Sequence, residues 1–429
     1  MKINKKIIKN ILIIALDTLR QDHLGCYGYK RNTTPNLDKF SKKSILFKNA
    51  YSVSSWTAPS FASIFTSVLP SRHKVIRYGC LKKISKNLST ITAKLNKKGF
   101  LTASFDGGGH VSDKYGFKKG FKISCSKGVY FKHNLDECIK FIEKNHAKKK
   151  FIFLHGFDCH RPYDPPKEFD IFLGNNKSNY NVLELYSGKN APIPKIREDF
   201  EKIISKYDGN IRMADYYIGK FFRYLEKKGY FSNSVIFIIS DHGDEFFEHK
   251  HFDHIRSLYE EVVKIPLILY YPGINPSVME YPVSIMDIGS TICEFLNIKL
   301  HHNDGISLLN PRKTRIIFME TGLMENTTNY PSLIRAIIKK NKKMIFNKDM
   351  QPIELYDLED DKNEQKNLVN NTKFKKVISN LNKIMISQKI FIETKYEDFE
   401  EENKEDFEEE NKEDFEEETK KRLKSLGYF

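Results

Sequence analysis

Short apolar runs recur along the chain, and each has the pattern of a strand that is covered on both faces. Residues 11–16, 151–154 and 234–239 carry Ile, Val, Leu and Phe with almost no polar interruption, which is typical of parallel strands in an open α/β sheet. Further strands are predicted at 45–53, 101–105 and 266–270. Between these runs, amphipathic spacing predicts helices, which fall at residues 33–40, 57–67, 88–97, 135–145 and 207–227.

Three of the predicted strands are followed, directly or after one residue, by polar residues. Asp17 follows the first strand, His155 the strand that ends at residue 154, and Asp241-His242 the strand that ends at residue 239. Ligands of open α/β sheets bind where the strands reach their carboxyl ends, and a carboxylate beside an imidazole suits a divalent metal ion. For Asp17 alone, capping of the next segment explains the residue equally well.

A run of hydroxyl residues precedes the second predicted helix. The sequence Ser54-Ser55-Trp56-Thr57-Ala58-Pro59-Ser60 places Thr57 just before a proline and an amphipathic stretch. Such a position delivers a side chain to a helix N-terminus, where free N–H groups and the helix dipole favour anions. A hydroxyl there is also a common N-cap, so two interpretations stay open.

Histidines and an arginine are the other candidates for the chemistry. Arg20 follows Asp17 within one turn, His155 and His160 lie in a proline-closed loop, and His254 ends a group of three histidines. His110 follows three consecutive glycines, whose backbone can approach a ligand closely. A single loop histidine is usually inert, whereas two at one strand end are less often so.

Composition and charge narrow the class of protein. The 429 residues are 40% hydrophobic, which is ordinary for a globular protein, and carry a formal charge of +16. Residues 397–418 hold fifteen acidic residues and two lysines in a repeat of eight residues, so the remainder is strongly basic and suits anionic partners. No nucleic-acid-binding module is recognisable, and the six scattered cysteines lack zinc-finger spacing. Because no apolar run reaches eighteen residues and the N-terminus lacks a signal-peptide pattern, we expect a cytoplasmic protein without a membrane span.

Several longer segments together resemble the sulfatase-like branch of the alkaline phosphatase superfamily. They are LDTLRQDHLGCYGY (16–29), TTPNLDKFSKKSILFKNAYSVSSWTAPSFASIFTSVLPSRH (33–73), FLHGFDCHRPYDPP (153–166), IISDHGDEFFEH (238–249), LYEEVVKIPLILYYPG (258–273), IELYDLEDDKNEQKNL (353–368) and LKSLGYF (423–429). The resemblance implies an α/β fold with a doubly wound, mainly parallel sheet flanked by helices and a small C-terminal α+β subdomain. We therefore expect a catalytic domain at 1–314, the subdomain with a short antiparallel sheet at 315–392 and an acidic repeat tail at 393–429.

The resemblance also implies roles for single residues. Asp17, Asp241 and His242 match metal ligands, and Thr57 occupies the position of the nucleophile, whose hydroxyl we also expect at the metal. His160 and His254 match groups that protonate the leaving oxygen. Three residues are expected to bind substrate, namely His110, Arg20 and His155.

The nucleophile segment departs from the sulfatase pattern. Sulfatases have C-x-P-x-R or S-x-P-x-R, where the first residue becomes formylglycine, whereas this chain has Thr57-Ala58-Pro59-Ser60-Phe61. Threonine is not a substrate for that conversion. Phe61 replaces the usual arginine, and Thr18 replaces the second acidic residue of the usual Asp-Asp pair. These departures favour the relatives with a threonine nucleophile, which hydrolyse or transfer phosphate esters.

The sequence thus predicts an enzyme that acts on an anionic ester with one divalent metal ion. Calcium or manganese is expected, and magnesium or zinc also fits two oxygen ligands and one nitrogen. A threonine hydroxyl is a poor nucleophile unless a base or a cation activates it, and a covalent phosphothreonine intermediate is expected. Two alternatives stay open: a sulfuric ester hydrolase with an atypical nucleophile, and a non-catalytic binding protein whose acidic tail serves as a spacer. The sequence indicates no oligomeric state.

Overall fold

A computed structural model describes residues 7–78, 82–173, 197–323 and 333–388. The acidic repeats at 397–418 and the segment 423–429, on which two of the sequence interpretations rest, lie outside the described residues. Within the described part of the chain, no helix combines the length and the apolar character needed to cross a bilayer.

The described strands fall into two large sheets and two short pairs. In chain order they are β1 (Asn10–Leu16), β2 (Ile45–Phe47), β3 (Ala50–Tyr51), β4 (Arg77–Tyr78), β5 (Leu101–Phe105), β6 (Ile123–Cys125), β7 (Lys150–Gly156), β8 (Ser234–Ile239), β9 (Glu245–Phe246), β10 (Phe252–Asp253), β11 (Leu267–Tyr270), β12 (Ser277–Met279), β13 (Val283–Ser284), β14 (Ile317–Leu323), β15 (Leu333–Lys339), β16 (Lys342–Phe346) and β17 (Pro352–Asp357). The short pairs are β9 with β10 and β3 with β13.

The helices alternate with the strands of the main sheet. They are α1 (Pro35–Ser41), α2 (Thr57–Thr66), α3 (Pro70–His73), α4 (Ile91–Lys97), α5 (Phe131–Lys144), α6 (Arg197–Lys227), α7 (Glu260–Val263), α8 (Asp287–Phe295) and α9 (Lys375–Ser387). Several sequence expectations differ in detail. The helix predicted at 207–227 begins ten residues earlier, at Arg197, and the helix predicted at 135–145 begins at Phe131. The strand predicted at 45–53 is interrupted and forms β2 and β3, and the helix predicted from residue 88 begins at Ile91, after Thr90 caps it by accepting from the N–H of Ala93.

The main sheet has eight strands in the order β12-β2-β11-β8-β1-β7-β5-β6. Strands β8, β1, β7, β5 and β6 are all parallel, whereas β11 runs antiparallel to both of its neighbours. Helices cover both faces, so the expected fold class is confirmed: an α/β fold with a mainly parallel, doubly wound sheet.

Alternate side chains of the central strands enter two separate cores. In β1, Ile11, Ile13 and Ala15 belong to the core that also contains α2 and α8 residues, while Leu12, Ile14 and Leu16 belong to the core with α5 and α6 residues. Strand periodicity of two explains this division. Burial on both faces holds the strand ends in fixed positions, and these ends hold the candidate site.

The second sheet has five strands in the order β17-β16-β15-β14-β4, and α9 packs against it. Its pairs from β14 to β17 are antiparallel, as expected for the C-terminal subdomain. The fifth strand, β4, comes from far earlier in the chain and pairs in parallel with β14, Tyr78 opposite Leu323. The domain limits at 314 and 392 stay a prediction.

Candidate active site

The parallel register of the central strands brings the predicted site residues to one edge of the sheet. Asn10 of β1 pairs with both Lys150 of β7 and Ser234 of β8, so these three strands end side by side. Asp17 directly follows β1, and Asp241 and His242 follow β8 after a single residue. The three side chains are fully buried, and their ligand atoms lie within 4.8 Å of one another.

Local backbone geometry permits this close approach. Thr18 adopts a left-handed conformation with φ 56°, which is uncommon for a β-branched residue, and its N–H lies 3.4 Å from Asp241 Oδ1. Gly243 follows the two ligand candidates, and a Cβ there would collide with the carbonyl oxygen of Glu261. The loop after β8 therefore packs against α7 only because residue 243 is glycine.

Thr57 is the first residue of α2, and its hydroxyl faces this cluster. Its Oγ1 donates to Asp17 Oδ2 at 3.2 Å and lies 3.3 Å from His242 Nε2. The N-cap position of the helix is Trp56, and no side chain caps the helix there. Of the two interpretations of this residue, the geometry therefore agrees with a hydroxyl directed at the Asp17 cluster and not with a capping hydroxyl.

The donor set fits a divalent cation. Asp17 Oδ1 and Asp241 Oδ2 are buried and have no hydrogen-bond partner among the described residues, an arrangement that is costly for carboxylate oxygens unless something binds them. His242 Nδ1 donates to the carbonyl oxygen of Gly243 at 3.0 Å, which leaves the Nε2 lone pair directed at the cluster. Two oxygens and one nitrogen thus converge, with the Thr57 hydroxyl beside them.

The two carboxylates of the cluster differ in acidity. Burial raises the pKa of Asp241, and the negative charge of Asp17 raises this pKa further. Burial also opposes ionisation of Asp17, but its contact with His155 and the nearby imidazoles of His160 and His242 outweigh it, so the pKa of Asp17 falls below its usual range. A cation between the two carboxylates would relieve their repulsion.

His254 lies between two carboxylates at the edge of the cluster. Its Nδ1 contacts Asp244 Oδ1 at 2.6 Å and Asp253 Oδ1 at 2.7 Å, and its ring centroid is 4.4 Å from that of His242. Burial lowers the pKa of His254, but the charges of Asp253 and Asp244 outweigh this effect and raise the pKa to about 10. His254 is therefore a protonated imidazolium in the neutral range.

His160 lies beside His254 in the opposite charge state. The two ring centroids are 5.1 Å apart, and His160 Nδ1 donates to the carbonyl oxygen of Arg161 at 2.9 Å. Burial lowers the pKa of His160 to about 4, although the charge of Asp17 acts in the other direction. His254 and His160 thus form a pair of one charged and one neutral histidine, which is typical of acid and base partners.

His110 lies near the nucleophile segment. Its ring packs edge-on against Trp56 and Tyr78 with centroids 5.5 and 5.3 Å away, and Tyr115 Oη lies 3.1 Å from its Nδ1. Burial lowers the pKa of His110 to about 3. The predicted contact with substrate stays a prediction.

Arg20 is engaged elsewhere. Its guanidinium bonds Asp22 at 2.7 Å, Glu248 at 2.6 Å and the carbonyl oxygen of Asp244 at 3.0 Å. The structure thus brings Arg20 together with acidic residues of the neighbouring loops, and these contacts favour a role in holding the loop after β8 over the expected contact with substrate.

His155 also differs from the expected substrate-binding position. The ring is completely buried and packs against three phenylalanines, while its Nε2 lies 3.4 Å from Asp17 Oδ2. A substrate that reaches Thr57 has no exposed atom of His155 to contact, so its surroundings favour a role behind the site.

Sequence reasoning missed the carboxylates that hold His254. Asp244 also accepts a hydrogen bond from Tyr163 at 2.5 Å, and Asp253 pairs with Arg161 at 2.7 Å. The available signal was the occurrence of Asp244 inside SDHGD and of Asp253 directly before His254. Only the turn between β9 and β10 brings the two acidic residues to the same imidazole.

Comparison with protein-family models gives two matches. Residues 9–298 match the model described as Sulfatase, which includes every residue of the candidate site. Residues 247–390 match the model described as N-sulphoglucosamine sulphohydrolase, C-terminal.

Sulfatases are among the proteins that are similar to this chain. An arylsulfatase of Clostridium perfringens is 25% identical, and the match covers 91% of this chain and 96% of that protein. A delta 4,5-hexuronate-2-O-sulfatase of Bacteroides thetaiotaomicron is 22% identical over 86% of each chain.

Solved structures with a similar fold include phosphonate monoester hydrolases. The enzyme of Agrobacterium radiobacter superposes with a TM-score of 0.75 at 17% identity and covers 88% of this chain and 95% of its own. The enzyme of Silicibacter pomeroyi gives a TM-score of 0.75 at 17% identity over 89% and 95%. At this level of identity the likeness shows the fold alone.

Proposed function

Because this chain belongs to the sulfatase family of hydrolases, we propose that it is a metal-dependent enzyme that cleaves or transfers phosphate esters with Thr57 as its nucleophile. The observation that supports this proposal most strongly is the position of the Thr57 hydroxyl, 3.2 Å from Asp17 Oδ2 and 3.3 Å from His242 Nε2. A buried hydroxyl beside unpaired carboxylate oxygens is the arrangement that nucleophilic catalysis at a metal site needs.

Asp17, Asp241 and His242 would hold the divalent ion, with the Thr57 hydroxyl next to it. When bound, such an ion lowers the pKa of a neighbouring hydroxyl and withdraws charge from the nonbridging oxygens of the ester. The donor atoms are compatible with calcium, manganese, magnesium or zinc, of which we favour calcium or manganese.

The protein side chains supply the remaining steps. The hydrogen bond to Asp17 Oδ2 orients the Thr57 hydroxyl, which gives up its proton to water as Oγ1 forms a bond to phosphorus and the bond from phosphorus to the leaving oxygen breaks. The leaving oxygen takes a proton from the protonated His254. Water or an acceptor alcohol then attacks the phosphothreonine and gives its proton to the neutral His160, and the bond from phosphorus to Oγ1 breaks. Oγ1 takes a proton from water to regenerate the Thr57 hydroxyl, and the proton on His160 returns to His254, whose ring centroid is 5.1 Å away.

Sulfate ester hydrolysis is the second candidate. The curated relatives named above are sulfatases, and the same cluster would bind a sulfate group equally well. The threonine at position 57 weighs against it, because the formylglycine of sulfatases requires cysteine or serine at that position.

Parallel assays test the choice between the two esters. We expect the protein, loaded in turn with manganese, calcium, magnesium or zinc, to turn over bis(4-nitrophenyl) phosphate or a 4-nitrophenyl phosphonate faster than 4-nitrophenyl sulfate. Mass spectrometry should give an unmodified Thr57 before reaction. Faster turnover of the sulfate ester, or an oxidised residue at 55, 57 or 60, would favour the sulfatase alternative instead.

A second assay tests the role of His254. We expect His254→Gln to slow hydrolysis of phenyl phosphate esters by about 100-fold, the contribution typical of a general acid. The rate of hydrolysis of 2,4-dinitrophenyl esters should fall much less, because that leaving group departs without a proton. His146→Gln, a change of an exposed histidine near the end of α5, is the matched control and should leave both rates unchanged. Equal loss for the two leaving groups would contradict the assignment.

A further inference from the structure

His155 has an unusual environment for a polar residue. It lies at the end of β7 and is completely buried. Its ring stacks on Phe153 at 5.7 Å between centroids and packs edge-on against Phe61 at 5.1 Å and Phe157 at 4.8 Å. Neither ring nitrogen has a hydrogen-bond partner of ordinary geometry in the described part of the chain, and Asp17 Oδ2 lies 3.4 Å from Nε2.

The two oxygens of Asp17 have different surroundings as a result. Oδ2 faces two donors, the hydroxyl of Thr57 and the imidazole of His155. Oδ1 has no hydrogen-bond partner among the described residues and lies 3.7 Å from His242 Nε2. The orientation of this one carboxylate therefore determines which oxygen is available to a cation.

We infer that His155 is a positioning residue that orients Asp17 for metal binding by directing its Nε2–H at Oδ2. Asp17 Oδ2 is a carboxylate oxygen 3.4 Å from Nε2, so a proton on Nε2 meets an acceptor there. With Oδ2 held by His155 and Thr57, Oδ1 stays directed at the cation site. This inference rests on the proposed function, since it concerns the step that loads the metal.

The phenylalanines explain why such a long contact is effective. They exclude water from the ring, so no solvent molecule competes for the N–H, and in an apolar environment a hydrogen bond to a charged acceptor is stronger than in water. Phe61 also lies four residues after Thr57 on the same face of α2. The imidazole thus fixes the carboxylate and the helix that presents the nucleophile relative to each other.

A purely structural histidine would behave differently. If His155 only filled space, replacing it by an aromatic ring of similar size would change stability by a small amount and leave the affinity for metal unaltered. If it orients Asp17, the same change lowers the affinity even where the fold is intact, and a side chain that restores the N–H restores the affinity.

The experiment compares His155→Phe, which keeps the ring, with His155→Gln, which keeps an N–H donor. Manganese alone is titrated into each purified metal-free protein, and the dissociation constant is measured by calorimetry and by the loss of the free Mn²⁺ electron paramagnetic resonance signal. We expect the affinity of His155→Phe to fall by about 10- to 100-fold, as for other residues that orient a metal ligand, and His155→Gln to recover most of it. Phe151→Leu is the matched control, because it removes a buried ring of the same strand that packs against Phe121 and leaves the donor and its three phenylalanines in place, and it should bind manganese as the unmodified protein does.

Equal affinity in His155→Phe and the unmodified protein would overturn the inference, as would an equal loss in Phe151→Leu. Should His155→Phe not fold, His155→Leu gives the same comparison without a donor. The readout is metal binding and not turnover, so the result is separate from the proposed function. A protein that binds manganese but hydrolyses neither phosphate nor sulfate esters would contradict the proposed function and leave the role of His155 standing.

Discussion

Replacing Thr57 with alanine is expected to lower the turnover of an aryl phosphodiester on the order of 10⁴-fold or more, the loss seen when a covalent nucleophile is removed. The hydroxyl is the only group that this substitution removes from the cluster, and Asp17, Asp241 and His242 remain. We therefore expect Thr57→Ala to bind manganese with nearly unchanged affinity while it fails to form a phosphorylated residue. Steady-state rates and mass spectrometry of acid-quenched protein give the two measurements.

Two further variants make this result specific. Thr57→Ser keeps a hydroxyl on the same carbon and should retain part of the activity, since the attacking atom is still present. Ser60 lies three residues after Thr57 on α2, and its hydroxyl bonds Ser52 and the carbonyl oxygen of Trp56. Ser60→Ala should therefore affect turnover little. Undiminished turnover by Thr57→Ala would exclude this residue as the nucleophile.

The second large effect concerns metal binding. Asp241→Asn is expected to reduce the affinity for divalent ions by at least about 100-fold, because it removes one of two buried charges that attract the ion. In the unmodified protein, an ion at 100 times its dissociation constant should stabilise the fold by about 2.7 kcal/mol and raise the unfolding temperature. Asp241→Asn should lose this increase.

The same variant makes an opposite prediction for the metal-free protein. Asp17 and Asp241 repel each other inside the fold, and this repulsion contributes to the raised pKa of Asp241. Removing one charge should therefore leave metal-free Asp241→Asn at least as stable as the unmodified protein in EDTA. Asp253→Asn is the matched control, because its carboxylate pairs with Arg161 and His254, and it should keep the metal-dependent increase. If Asp241→Asn retained that increase, the metal site would lie elsewhere.

The sequence predicted the parts of the site that depend on strand ends. Asp17, Asp241 and His242 each follow an apolar run closely, and parallel strands bring such positions together whatever the details of the loops. The likeness of the motifs also predicted the doubly wound fold, and the structure confirms it.

Contacts that depend on loop conformation could not be predicted in this way. Arg20 lies three residues after Asp17, but its direction is set by Asp22 and Glu248, which are 226 positions apart in the chain. The apolar enclosure of His155 combines a residue of α2 with two residues around β7. A linear pattern shows that these residues are polar or aromatic, and it does not show which of them meet.

Strand β4 links the C-terminal sheet to the surroundings of Thr57, which limits how independently the two can change in sequence. It pairs with β14 of the C-terminal sheet, and its Tyr78 packs against His110 beside the nucleophile segment. A mutation that shifts β14 would therefore also shift the two residues of β4, Arg77 and Tyr78, and with them the surroundings of Thr57. The C-terminal region is for this reason a poor candidate for exchange between homologues. A C-terminal sheet from another protein would pair differently with β4 and so change the packing of Tyr78 near the reacting groups.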